Sequence, residues 1–155
     1  MVKKTNFDKN MNRVSLLLMV VTLIVFVYQW MVLPDSVPVH SDIAGNVDRW
    51  GSKAELLVLP FIPWILYGLL SLVEHFPKLW NTLIAVTSDN LEQVYSLILH
   101  GISSLKFCVT VMLCGLVLLL VNNHAMLWWF LGCMLASIIV VIIYWMRRVH
   151  HMSVR

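Results

Sequence analysis

Charge is scarce in this chain. Of its 155 residues 11 are Lys or Arg and 8 are Asp or Glu. That is 12% charged, against ~25% in an ordinary soluble domain. So few charges cannot cover a water-facing surface of this size without large apolar patches. With 60% apolar residues and a mean hydropathy of +0.83, the excess must face lipid. Most soluble enzymes and disordered chains are thereby excluded. The net charge of +3 is also too small and scattered for a nucleic-acid footprint. Cysteine is scarce too: Cys108, Cys114 and Cys133 are odd in number and fall in apolar runs, so small buried packers are expected rather than disulfides.

What is abundant is uninterrupted apolar sequence. Between Arg13 and Asp35 no charge occurs, and Val14 to Leu33 is 20 residues long, enough for the ~30 Å hydrocarbon core at ~1.5 Å per residue. The run is too long for a signal core and ends in Leu33-Pro34-Asp35 without a cleavage pattern, so it is expected to remain as an anchor. A second run covers Leu56 to Val73, with Pro60 and Pro63 near its start predicting a bend. A third, Ile102 to Val121, contains only Lys106, expected to snorkel to the nearer interface. A polar break at Asn122-Asn123-His124 precedes the fourth, Met126 to Met146, which Arg147-Arg148 end. The reading is an all-α membrane protein: one four-helix bundle with both termini on the cytoplasmic side.

That orientation rests on basic residues. Lys3, Lys4, Lys9, Arg13, Lys78, Lys106, Arg147, Arg148 and Arg155 lie on one side, Arg49 and Lys53 on the other. Trp30, Trp128 and Trp129 at the outer ends, with Tyr144 and Trp145 at the inner end, fit an interfacial aromatic belt. Asp89 followed by Glu92 reads as an N-cap and N3 carboxylate, so the third helix is expected to start near Asn90 and project inward beyond the bilayer. The inner connection spans residues 74–101.

Residues Pro34 to Ala54 form the sizeable outer connection, longer than ordinary loops. Pro34 and Pro38 fix φ, Gly45-Asn46 and Gly51 offer turns, and Trp50 can pack, which together read as a folded cap over the helix ends. The alternative is a polar linker that only stays out of lipid. Leu33-Pro34, Pro38-Val39-His40, Gly45, Asp48 and Trp50-Gly51-Ser52-Lys53, following a first span, resemble the domain of unknown function 1648, a bacterial membrane domain found also in SdpI-type immunity proteins. Ser41-Asp42 replaces an aromatic and an Asn often seen in that pattern. Pro77 and Asn81, then Asn90 and Tyr95, are similar to the family's cytoplasmic segments. The resemblance covers roughly residues 14–121 and implies a bacterial plasma-membrane protein without established enzymatic activity. The SdpI type protects its producer against a secreted peptide toxin and, in the best-known case, also relays the toxin's presence by holding a transcriptional repressor at the membrane.

Candidate chemistry is thin. His40, Asp42, Asp48 and His124 share the outer side and could hold a divalent cation, but their spacing matches no compact metal motif. A structural role is favoured, with His40 bonded to a backbone carbonyl, Asp42 or Asp48. No metal or other cofactor is expected. Apart from Tyr and Trp, the first, second and fourth spans hold only Ser15, Thr22, Gln29, Ser71 and Ser137 as polar groups, the third holds Lys106 as its one charge, and together they offer no protease dyad or HExxH pattern, with no Asp or Glu in any span. That argues against catalysis and against a proton-coupled transporter acting alone. Gly132 with Ala136 and Cys133 with Ser137 are small-residue pairs expected to pack within the bundle. His150 and His151 extend a cationic tail facing anionic lipid.

The function that the resemblance implies is non-enzymatic: peptide-toxin immunity or membrane-stress sensing by binding a secreted peptide or a membrane or regulatory protein at the cap and outer helix ends, through Trp50, His40, Trp30, Trp128 and Trp129. A relay would run through Asn90 to Tyr95. The alternatives are an accessory transporter subunit, using the small-residue face of the fourth helix, and an outer-face metal-dependent enzyme using His40, Asp42 and His124.

Overall fold

A computed structural model describes residues 3–42, 44–82, 84–122 and 128–152, except for the side chains of Lys78 and Trp128. Four helical segments are long and apolar enough to cross a membrane. Helix α1 (Asn6–Val32) opens on a capping box, in which Thr5 Oγ1 accepts from the Asp8 amide and Asp8 Oδ2 accepts from the Thr5 amide. It starts eight residues before Val14, so Asp8 lies on the helix rather than in a tail.

Strands β1 (Ser36–Ser41) and β2 (Val47–Ser52) follow as an antiparallel hairpin, with Val37 opposite Gly51 and Pro38 opposite Trp50. The folded cap expected of this connection is thus a two-stranded sheet. A 3-10 segment (Lys53–Val58) leads into α2 (Phe61–His75). Pro60 is the N-cap of α2 and Pro63 falls in its first turn, where amide hydrogens have no intrahelical acceptor. The prolines thus start the α-helix rather than bend it.

A second 3-10 turn (Pro77–Leu79) precedes α3 (Leu91–Val121), and α4 (Trp128–His150) closes the described fold. The N-cap of α3 is Asn90, not Asp89. Asn90 bridges the preceding turn, its Oδ1 accepting from the Thr87 amide at 2.8 Å and its Nδ2 donating to the Ala85 carbonyl at 3.1 Å.

α3 is the hub, touching each of the other three helices. Its buried residues Leu99, Ser103, Lys106, Thr110, Cys114, Val117 and Val121 recur every three or four positions, a single stripe. On α1, Ser15, Met19, Thr22 and Phe26 form the matching stripe. The two helices run parallel, since Asp8 meets His100 and Gln29 meets Asn122. Phe26, Leu33, Val37, Leu56, Val117 and Val121 make an apolar core that joins the hairpin to the bundle.

α4 packs on α3 through close approaches: a Cβ added at Gly101 would lie 3.3 Å from Trp145 Cβ, and one at Gly115 only 2.7 Å from Phe130 Cζ. The small residues expected at this contact are not there. Gly132, Cys133 and Ala136 are exposed, and a Cβ at Gly132 would meet nothing within 4 Å. The intramolecular role expected for that face is overturned, because the glycines facing α4 come from α3.

Candidate functional site

The hairpin end carries the residues of the sequence pattern. Pro34 follows the last turn of α1 and is exposed; Pro38 is buried in β1. At the tip Gly45 has φ +86°, a conformation that favours glycine. Asp42 closes the tip by accepting from the Asn46 backbone at 2.8 Å and its side chain at 3.1 Å. Those bonds from Asn46, side chain first, hold the Asp42 carboxyl below its ordinary pKa. His40 Nδ1 donates to Asp48 Oδ1 at 2.6 Å across the strands. Both side chains are substantially exposed, so this is a surface pair of small worth.

Gly51 sits at a close approach: a Cβ there would crowd the Glu55 carboxylate and lie 2.9 Å from Val39 Cγ2. Lys53 fastens the hairpin to α1. Its Nζ donates to the Leu33 carbonyl at 3.0 Å and lies 3.3 Å from Asp35 Oδ1 and 5.3 Å from the Trp30 ring centre, while its carbonyl accepts from Trp30 Nε1 at 3.3 Å. Trp50, 60% exposed, projects from β2 as an uncovered aromatic. Trp129 is exposed on α4, whereas Trp30 is committed to the fastening. His124 lies outside the described residues. Among those described, no group of three or more His, Cys, Asp or Glu is placed to hold a metal ion.

At the opposite end the geometry is quite different. Glu74, in the last turn of α2, and Lys106, on the buried stripe of α3, each keep 1% of their side-chain surface and meet at 2.7 Å. Lys4, just ahead of α1, pairs with the other Glu74 oxygen. Lys106 Nζ also donates to Ser71 Oγ at 3.1 Å and sits 4.5 Å from the Tyr67 ring centre. Lys106 therefore does not snorkel. It lies six residues beyond His100, ~9 Å deeper at ~1.5 Å per residue, and turns inward to a carboxylate from another helix.

A second polar cluster adjoins it. Asp8, fully buried, accepts from His100 Nδ1 at 2.8 Å and from Thr5 Oγ1 at 2.8 Å. The His100 ring packs edge-on against Phe7 and Trp145. Ser103 Oγ and Asn12 Oδ1 are buried without a hydrogen-bond partner among the described residues, within a turn or two of these charges, and Glu74 Oε1 meets Lys106 as an ion pair without hydrogen-bond alignment.

The other marked residues of this end are structural. Pro77 opens its 3-10 turn. Trp80 Nε1 donates to the Val73 carbonyl at 2.7 Å and its ring packs on Tyr95 at 5.6 Å, with Asn81 exposed beside it. Asn90 shapes the turn before α3, so the segment is held by backbone acceptors and ring packing.

Glu74, Asp8, Lys4 and His100 carry no motif in the sequence, and by position alone Lys106 resembles an interfacial lysine. The available signal was the run Ser103, Lys106, Thr110, Cys114: a lysine on the same three-to-four spacing as the small residues of a buried stripe.

No curated protein and no solved structure matches this chain. The family match falls instead on one segment: from within α1, through the pinned hairpin with Gly51 and Lys53, to the first residues of α2. Residues 17–62 match the family model of the domain of unknown function (DUF1648), and the chain is a multi-pass membrane protein carrying that domain.

Proposed function

We propose that the chain is a non-enzymatic receptor of a bacterial plasma membrane, SdpI-related, with both termini cytoplasmic, whose hairpin binds a secreted peptide or a partner protein on the outer face. One observation carries this reading: a hairpin tied to α1 by Lys53 holds a largely exposed Trp50 beside the His40–Asp48 pair. An exposed aromatic on a fixed platform is the usual anchor of a protein contact. The basic residues at the end carrying the termini support the orientation. Immunity to a peptide toxin, or sensing of membrane stress, is the role this surface would serve.

The test is survival. A sensitive bacterial strain expressing the wild-type chain, Trp50→Ala or empty vector is challenged with secreted toxic peptides. Protection by the wild type that Trp50→Ala loses supports the reading, and equal survival of all three contradicts it.

A second reading, an accessory subunit of a membrane transporter, is favoured by the buried Glu74–Lys106 pair, since ionisable groups inside a bundle mark ion paths. A stoichiometric transport protein recovered by crosslinking or native mass spectrometry would support it. The outer-face metal enzyme has the least support, because His40 and Asp42 are already engaged by Asp48 and Asn46. Elemental analysis of the purified chain decides it.

A further inference from the structure

Two ammonium groups share one carboxylate at Glu74. Asp8, the other buried carboxylate among the described residues, is committed to Thr5 and His100. The charged and titratable groups around Lys106 are Glu74 and Tyr67 of α2, Lys4 ahead of α1, Asp8 of α1 and, through Asp8, His100 of α3. His75, next to Glu74, is turned away onto the Ser71 carbonyl.

The two ammonium groups differ in their access to water. Lys4 keeps 35% of its side-chain surface and lines a cleft of about 770 Å³ together with Lys3, Lys9, Glu92 and Ser96. Lys106 keeps 1% and touches Glu74, the Ser71 hydroxyl and the Tyr67 face, with the Asp8 carboxylate acting on it from farther off. A buried ammonium that must share its counter-ion is poorly compensated. It can relieve that state by giving up a proton.

We propose that Lys106 is a proton-exchange site, served through Glu74 from the cleft beside Lys4 at the end of the bundle that carries the termini. In the exchange the Lys106 side chain, in ion-pair contact with Glu74 Oε1 at 2.7 Å but not hydrogen-bonded to it, shifts into alignment and transfers one proton to that oxygen, leaving a neutral amine and a carboxylic acid. Lys4, which lines the cleft, gives one proton to water there and takes up the proton of Glu74, so that Glu74 is again a carboxylate paired with the Lys4 ammonium. The net change is one proton moved from Lys106 to the aqueous phase, with no bond between heavy atoms altered. Loading runs in reverse. The site is independent of any ligand on the hairpin, so loss of hairpin binding leaves it untouched.

The full-length chain in liposomes, read with a membrane-impermeant pH dye, tests this. Base is added from about pH 7 to 9, where most ordinary His (~6.5) has already released its proton and ordinary Lys (~10.4) has not. The wild type is expected to release more protons than Lys106→Met and Lys106→Arg, up to one per chain. The arginine variant keeps the charge and the pairing but cannot deprotonate, so it decides the matter if the methionine variant fails to fold. Equal release by the wild type and Lys106→Arg overturns the proposal. Dye confined to one face locates the exchange, and release at the hairpin face overturns the path through Glu74.

Discussion

Two lysines make nearly the same contacts at opposite ends of this molecule. Lys53 reaches a carbonyl, a carboxylate and the face of Trp30; Lys106 reaches a hydroxyl, a carboxylate and the face of Tyr67. Their surroundings differ completely. The carboxylate beside Lys53 belongs to Asp35, whose side chain is 99% exposed, whereas Glu74 is as buried as Lys106 itself. At the hairpin the pairs are wet and exchangeable with water, so they position the chain at little energetic risk. At the other end each charge depends on its neighbours, because lipid and packed helices supply no alternative. The same chemistry acts as a fastening in one place and as a titratable site in the other.

Removing one member of the buried pair should break this contrast most strongly. Glu74→Ala leaves Lys106 without its carboxylate, and a loss of about 3–5 kcal/mol is expected in reversible unfolding in detergent. Gly115→Ala attacks the neighbouring α3–α4 contact: Phe130 must retreat from the new methyl, for about 1–3 kcal/mol in the same assay. Lys53→Met should cost about 1 kcal/mol and loosen the hairpin alone, seen as faster amide exchange in residues 36–52 with α3 unchanged. His40→Ala should change stability by less than about 1 kcal/mol, as befits an exposed pair.

The smallest effect is a pH dependence at the tip. Because Asn46 depresses the Asp42 pKa, its contribution is complete above the ordinary value of 3.8 and is lost as pH falls through the lower folded value. Exchange of the Asn46 amide should accelerate only under those acidic conditions.

The four spans were legible because an apolar run needs only length and absence of charge to declare itself. The hairpin was legible as an ordered cap but not as a sheet. Pro38 interrupts the first strand, and Asp48-Arg49 in the second breaks the alternation that marks a half-buried strand. The charge cluster was hidden for a different reason. In linear order Glu74 and Asp8 sit just outside apolar runs and Lys106 near the start of one, which is where charged residues ordinarily meet water. Only the folded chain shows that α1 extends back to Asn6, that α2 runs on to His75, and that both ends turn their acids toward α3. The small pairs of α4 misled because small size permits close packing without requiring it.

The most direct test is a double-mutant cycle on Glu74→Gln and Lys106→Met, with unfolding free energies measured for the wild type, both single variants and the double variant. If the two groups sustain each other's charge away from water, the double variant should be more stable than the summed single losses imply, by about 2 kcal/mol or more. Losses that simply add, to within about 0.5 kcal/mol, would contradict the buried pair and return Lys106 to the interface.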